Sequence, residues 1–334
     1  MKRLLLVLSV PVMVAVLVAG YALTSDSSYS TEPLPEYLAL GDSLGWGYGA
    51  SDPATKGYVP LFRDFLESED ALDTDLFLNN LSIPGATSTS LISAQLPTAV
   101  AELEARNGDA DPDNDVVVVT IDIGGNDLLA LLSVCSGGFT PECQTAIVTT
   151  FTTFSFNFDF TLGELRTAAG PDTPIIAMTY FNSLEGPGCP PELVPLGEIV
   201  LEGDPGLGLP QGANDLIRSK AAAHGAIVAD LVPGGVFPDL LGPSDILPDC
   251  VHANDSGYQI IADAFADVFF HLPVVGGIVE LEVDSSSADL SPQADTSSSS
   301  NYNIALAAGG IAAGAIALGA GAWYARRRWL GKSV

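Results

Sequence analysis

Basic residues are scarce in this chain: Lys and Arg together number 12 against 41 Asp and Glu, a formal net charge of −29 over 334 residues. All the acidic residues lie between Asp26 and Asp295, where Lys56, Arg63, Arg106, Arg166, Arg218 and Lys220 alone oppose them. That sign excludes nucleic acid as a partner, because phosphate binding needs the opposite one, and it repels an anionic bilayer surface. The acidic balance reads as a solvated surface suited to secretion or high salt. Histidine is rarer still, at His224, His252 and His271. No pair of His, Cys or carboxylate residues has the spacing of a metal site, so neither a metal nor another cofactor is expected.

Two further absences concern the ends. No Cys closes the N-terminal apolar run, which argues against a lipid-anchored lipoprotein, and no L-P-x-T-G string precedes the C-terminal one, as a sortase substrate would require. What is present at the start is Met1-Lys2-Arg3 followed by the apolar run Leu4 to Gly20, the layout of an export signal. Near the other end, Ile304 to Tyr324 is uncharged, and its roughly 21 residues span about 31 Å as a helix, enough to cross a bilayer core. Trp323 and Tyr324 suit the interface, and Arg326, Arg327, Arg328 and Lys332 suit the cytoplasmic side. The expected organisation is an export signal at 1–25, a folded domain at 32–275, a flexible Ser/Asp-rich linker at 276–302, a transmembrane helix at 303–325 and a basic cytoplasmic tail at 326–334. The domain would face the outside of the cell membrane. The span is rich in Ala and Gly, so a later cut that releases a secreted form stays open.

Cysteine stops at four positions, 135, 143, 189 and 250. In an exported chain two disulfides are the default. Three pairings exist; Cys135 and Cys143 flank a short Gly/Pro loop and are expected to join, which leaves Cys189 with Cys250. Free thiols with Cys250 as a nucleophile are the alternative.

Apolar periodicity orders the domain into alternating strands and helices. Strands are expected at Tyr37 to Leu40, Asp75 to Leu81, Asp115 to Ile123, Pro174 to Tyr180 and Ala226 to Leu231. Helices are expected over Gly57 to Glu67, Ser90 to Arg106 with an interruption near Pro97, from Leu128, over Thr145 to Ala169, Gly212 to His224 and Ser256 to Phe270. This alternation implies an α/β fold, a parallel sheet covered on both faces. Ligands of such sheets bind at the carboxyl ends of the strands, where Ser43, Gly85, Asn126 and His252 all fall.

Those positions carry chemistry. Gly41-Asp42-Ser43-Leu44 offers a serine, and Asp249-Cys250-Val251-His252 offers an acid three residues before a histidine. A serine hydroxyl needs an imidazole to take its proton, and the imidazole needs a carboxylate to fix its tautomer. Ser43, His252 and Asp249 supply those roles. His224 and His271 have no carboxylate at that spacing. Gly41 to Gly45 also satisfies G-x-S-x-G, the nucleophile elbow of the α/β-hydrolases. There the serine follows several strands, whereas here it follows the first.

Four ordered blocks resemble the SGNH hydrolases of GDSL type: Gly41-Asp42-Ser43-Leu44, Asn80 to Thr87, Gly124-Gly125-Asn126-Asp127, and Asp249 to His252. The resemblance implies a flavodoxin-like three-layer α/β/α sandwich with a central parallel sheet of about five strands. It also implies a carboxylic-ester hydrolase (esterase or lipase) in which the Ser43 and Gly85 N–H groups and the Asn126 amide form an oxyanion hole. Carbohydrate deacetylase, lysophospholipase and thioesterase activities would use the same machinery. A surface protein that binds glycans or lipids without turnover would need a broken site, and all the expected residues are present. The family usually has Gly where Cys250 stands and Pro where Ala253 stands; a bridged Cys250 would hold His252 in place of that Pro. Specificity is less legible. Phe151, Phe154, Phe158, Leu162 and Leu165 form a helical stripe expected in the core, while Trp46 and Tyr48, with Phe156 and Phe160, are candidates for an acyl pocket. The expected partner is a small-molecule or lipid ester. Oligomeric state is not legible.

Overall fold

The Val- and Ile-rich run at Val116–Asp122 (β3) is buried along nearly its whole length, as a strand covered on both faces must be. Around it a computed structural model, which describes residues 34–272, builds a five-stranded sheet in the order β2-β1-β3-β4-β5. The other strands are β1 (Glu36–Gly41), β2 (Phe77–Asn80), β4 (Ile175–Met178) and β5 (Ile227–Ala229), and every neighbouring pair is parallel. This is the flavodoxin-like order, whose direction of winding reverses between β1 and β3. The expected segments 1–25, 276–302, 303–325 and 326–334 lie outside the described residues. Among the described residues no helix is long and apolar enough to cross a membrane.

The helices are α1 (Ser43–Trp46), α2 (Pro53–Lys56), α3 (Tyr58–Leu66), α4 (Ser88–Ala94), α5 (Leu96–Arg106), α6 (Gly125–Leu129), α7 (Leu132–Cys135), α8 (Pro141–Ala169), α9 (Val194–Glu202), α10 (Ala213–Ala223) and α11 (Asp255–Phe270). On one face of the sheet α3 packs on α11; on the other α8 packs between α5 and α10. The first pair meets through aromatics, Tyr58 stacking on Phe265 with centroids 4.9 Å apart and Phe62 meeting Phe265 at 5.6 Å. The second face takes the expected stripe: Phe154, Phe158, Leu162 and Leu165 are buried.

Several boundaries differ from expectation for local reasons. The break in the helix over Ser90 to Arg106 falls at Gln95, not at Pro97, which fits the first turn of α5. Gln95 keeps its helical bonds to Leu91 and from Ala99 but bends the chain at φ −112°, and its side chain reaches the strand end: Oε1 accepts from the Gly41 N–H at 2.9 Å and Nε2 donates to the Gly41 carbonyl at 2.8 Å. That buried amide ties the end of β1 to the helical layer. Helix α8 starts at Pro141, four residues earlier than the periodicity indicates, since Thr140 caps it by accepting from the Cys143 N–H and Pro suits the first helical position. Helices α1, α2 and α9 have no counterpart in the sequence reading; α1 and α2 are single turns too short to show a period.

Replacing Phe265, buried between Tyr58 and Phe62, by Ala is expected to cost about 3–5 kcal/mol of folding stability. Denaturant unfolding followed by circular dichroism checks this.

Candidate functional site

Ser43 is the first residue after the β1 turn and opens α1, with the Asp42 carboxylate capping that turn by accepting from the Leu44 N–H at 2.9 Å. The turn must be tight. A Cβ at Gly41 would collide with the Asp122 carboxyl, and a Cβ at Gly45 would collide with Ser82 and approach Asp122 to 2.5 Å. Small residues on either side of the serine are therefore a packing requirement of the strand β3 that lies beneath it.

His252 comes from the loop before α11. Its Nε2 lies 2.9 Å from Ser43 Oγ, and its Nδ1 lies 2.7 Å from Asp249 Oδ2. The other carboxylate oxygen, Oδ1, accepts from the N–H groups of Val251 and His252, both at 3.0 Å. Burial works against the charge on Asp249, but the His252 N–H, the His252 ring and the Val251 N–H outweigh it, and the carboxyl is held below the usual carboxylate range. It stays ionised across neutral pH, as the partner of an imidazole must. The ring also rests against Tyr48, centroids 4.5 Å apart.

The loop that carries Asp249 and His252 is pinned at several points. Leu247 N–H donates to the His252 carbonyl at 2.8 Å, Ser183 Oγ donates to the Cys250 carbonyl at 2.9 Å, and Asn254 caps α11. Cys250 takes a left-handed conformation at φ +63°, which side chains other than glycine rarely adopt, and glycine is the residue that the family commonly has there. Cys250 is bonded to Cys189, and Cys135 to Cys143. Ala253 is fully buried and bridges to Ile246, so packing rather than a proline ring fixes the chain after His252.

Gly85 sits in the loop after β2 at φ +82° with open space beside it, the conformation for which glycine is suited. Asn126, near the start of α6, donates from Nδ2 to the Ala86 carbonyl at 2.9 Å and to Asp42 Oδ2 at a longer 3.3 Å. The first of these bonds joins the Gly85 loop to α6. Asn80 Nδ2 donates to the Gly45 carbonyl at 2.8 Å, which ties the base of the same loop to α1. Ser43, Gly85 and Asn126 thus stand on three loops at the carboxyl ends of β1, β2 and β3, cross-linked by side-chain amides.

An apolar cavity opens beside this group, with a volume of about 760 Å³ including its open mouth. Ser43 and Asn126 stand at its polar end, and Leu128, Leu132, Leu184, Leu196 and Val200 are among its walls. Trp46 and Tyr48 are not: they are about half exposed, at 45% and 49%, and Tyr48 packs on the His252 ring instead. Phe156 and Phe160, at 70% and 44%, also face solvent. A four-residue helix puts Leu44 inward and Trp46 outward, so nearness in sequence to Ser43 does not carry an aromatic to the cavity. Its wall comes instead from α6, α7 and α9, whose short apolar segments the sequence reading did not connect to the site.

His224 pairs with Asp159 at 3.1 Å, and His271 with the Asp267 carbonyl at 2.7 Å; both lie away from Ser43. Among the described residues no group of three or more His, Cys, Asp or Glu is arranged to hold a metal ion. Sequence reasoning missed Asp122, Tyr58 and Tyr180, which surround Asp42 below the serine. The signal available was an acidic residue at the end of an otherwise apolar buried strand.

Comparison with known proteins agrees with this architecture. A lipase from a goat rumen metagenome superposes with a TM-score of 0.50 at 20% identity, covering 70% of this chain and 96% of its own. An acetylxylan esterase from Geobacillus stearothermophilus (TM-score 0.47, 17% identity, 74% and 98% coverage) and an extracellular lipase from Streptomyces rimosus (0.46, 20%, 69% and 99%) are also similar. At 20% identity the likeness to the goat rumen lipase speaks to the fold alone. No curated protein matches the chain. The model of the GDSL-like lipase/acylhydrolase family matches residues 39–260, well over half of the sequence, and the chain belongs to that family.

Proposed function

We propose that this carboxylic-ester hydrolase works through an acyl-Ser43 intermediate, with His252 as general base and acid and Asp249 as its orienting carboxylate. The observation that carries this reading is the unbroken contact Asp249 Oδ2 to His252 Nδ1 (2.7 Å) and His252 Nε2 to Ser43 Oγ (2.9 Å). His252 takes the Ser43 proton as the hydroxyl attacks the ester carbonyl, then returns it to the departing alcohol. Water repeats the sequence on the acyl-enzyme, and the acid leaves. Charge that builds on the carbonyl oxygen meets the Ser43 and Gly85 N–H groups and the Asn126 amide, whose long contact to Asp42 is the one an oxyanion would replace. A single such donor contributes about 3–4 kcal/mol.

The leucine-lined cavity beside Ser43 favours an acyl chain longer than acetyl, because burying each methylene there contributes about 0.8 kcal/mol. An esterase or lipase acting on medium-length or longer acyl groups is therefore preferred to a carbohydrate deacetylase. The positive, apolar start of the chain supports export, and the two disulfides fit an oxidising compartment. The uncharged run Ile304 to Tyr324 with the basic residues after it supports a tether that leaves the enzyme on the outer face of the membrane. Cell fractionation of the whole chain, compared with one ending at residue 302, tests the tether: both appearing in the medium alike would remove it.

With p-nitrophenyl esters as substrates, Ser43→Ala is expected to abolish the acyl-enzyme burst, and Asp249→Asn to lower kcat by roughly 10⁴-fold with little change in KM. A variant of either kind with wild-type kcat would reject the assignment. Val200→Trp, which fills the cavity, should shift the preferred ester toward shorter chains; an unaltered chain-length profile assigns the acyl group elsewhere. Cys250→Ser removes the tie on the loop that carries His252 and should lower kcat about 10- to 100-fold through misplacement of the imidazole. Full activity of this variant under oxidising and reducing conditions alike would show that the other pins suffice.

A further inference from the structure

Below the nucleophile turn two carboxylic groups lie against each other in the interior, and the ester-cleaving steps use neither. Asp42 and Asp122 are 2% and 0% exposed. Asp122 Oδ2 accepts from the N–H groups of Asp42 at 3.3 Å and Gly45 at 3.2 Å, which sets the two carboxyl groups side by side. Tyr58 donates its hydroxyl to Asp122 Oδ1 at 2.6 Å, and Tyr180 donates its hydroxyl to Asp42 Oδ2 at 3.3 Å. The ion pairs of the domain are elsewhere, for example Arg106 with Glu36 and Arg218 with Glu202 and Asp230.

We propose that Asp42 and Asp122 hold a single proton between them, with Asp122 as the neutral acid that donates to the Asp42 carboxylate, and that this pair positions the turn carrying Ser43. Two carboxylates in contact and out of water cannot both ionise, because each charge loses its hydration and repels the other. The division of the proton follows from the donors. Asp42 accepts from the Leu44 N–H, the Tyr180 hydroxyl and the Asn126 amide; of these, the Leu44 and Asn126 groups cannot turn round to accept. Both oxygens of Asp42 thus face a fixed donor, whereas on Asp122 the fixed N–H groups of Asp42 and Gly45 both meet Oδ2, and Oδ1 faces only the Tyr58 hydroxyl, which can rotate and tolerate either state. Burial pushes both groups up, and the neighbouring Asp42 charge takes Asp122 well above the usual carboxylate range.

The groups facing the pair are few. His252 is the basic one, acting on Asp42 from the loop before α11. Tyr58 on α3 and Tyr180 after β4 have their titration raised, first by burial and then by these acids, and so remain neutral donors. Tyr37 on β1, bonded to Thr120, and Tyr258 on α11 are raised in the same way. Asp127 on α6 and Asp249 act at one remove, through Tyr180 and Tyr258. A shared proton therefore leaves one negative charge beneath Ser43 rather than two. It also joins β3 to the nucleophile turn through a hydrogen bond as well as through the N–H groups of Asp42 and Gly45.

Infrared difference spectra of the whole protein at pH 8, wild type minus Asp122→Asn, test the proton directly. The stretch of a protonated carboxylic acid is expected in the wild type and lost in both Asp122→Asn and Asp42→Asn; no such band in the wild type would overturn the proposal whether or not the variants fold. Thermal melts give a second reading. Asp122 holds its proton in the folded state to a higher pH than in the unfolded chain, so its favourable contribution is complete below the unfolded value and fades as pH rises through the folded one. Asp122→Asn lacks that slope. Its melting temperature should gain on the wild type with rising pH, by roughly 3 °C for each pH unit that separates the two titrations, and its kcat should persist to higher pH. Parallel profiles for the two proteins in both melting temperature and kcat would overturn the proposal.

Discussion

A hydroxyl at position 43 and an imidazole 209 residues later must meet at 2.9 Å, and most of the described structure can be understood as the means of that meeting. The parallel sheet brings the carboxyl ends of β1, β2 and β3 to one edge, so that loops far apart in the chain become neighbours. The reversal of winding between β1 and β3 opens a crevice there, with Ser43 on one side and Asn126 on the other. Helix α11 then fixes the last loop by packing its aromatic face on α3. The loss of any one layer would move the two groups apart.

Rigidity around the serine comes at a cost in buried polarity. Gln95, Asp42, Asp122, Tyr58 and Tyr180 are all removed from water within one small volume, where an unmatched group would be destabilising. The backbone N–H groups of Gly41, Asp42, Leu44 and Gly45 are consumed by these side chains. Conversely, the N–H groups of Ser43 and Gly85 find no protein acceptor among the described residues. The turn is held by the residues around Ser43, which leave those two N–H groups unclaimed.

Much of this was legible in the sequence because it is local. Asp249 and His252 are only three residues apart, and β3 announces itself by a solid run of Val and Ile. That the strands run parallel follows from the alternation of elements, since parallel strands need helical crossovers, whereas their order is implied only by the family resemblance. The cavity was not legible. Its walls come from α6, α7 and α9, two of them about a turn long, and no single segment repeats often enough to display a face. Trp46 and Tyr48 misled for the opposite reason: they are close to Ser43 in the chain, but the turn of α1 and the Gly47 that ends it leave both side chains about half exposed. Gln95 was hidden because its helix reads as continuous apart from Pro97, and a side chain that bonds a strand end leaves no periodic mark.

The distribution of positive charge has a consequence for traffic through the site. Five of the six basic residues of the domain are occupied internally: Arg63, Arg106, Arg218 and Lys220 with carboxylates, and Arg166 with the carbonyls of His224, Gly170, Thr173 and Gly225. The many remaining acids therefore set the sign of the surrounding field. A neutral ester approaches such a surface without penalty, whereas the carboxylate released by its hydrolysis is pushed outward, so the surface itself clears the spent site for the next molecule.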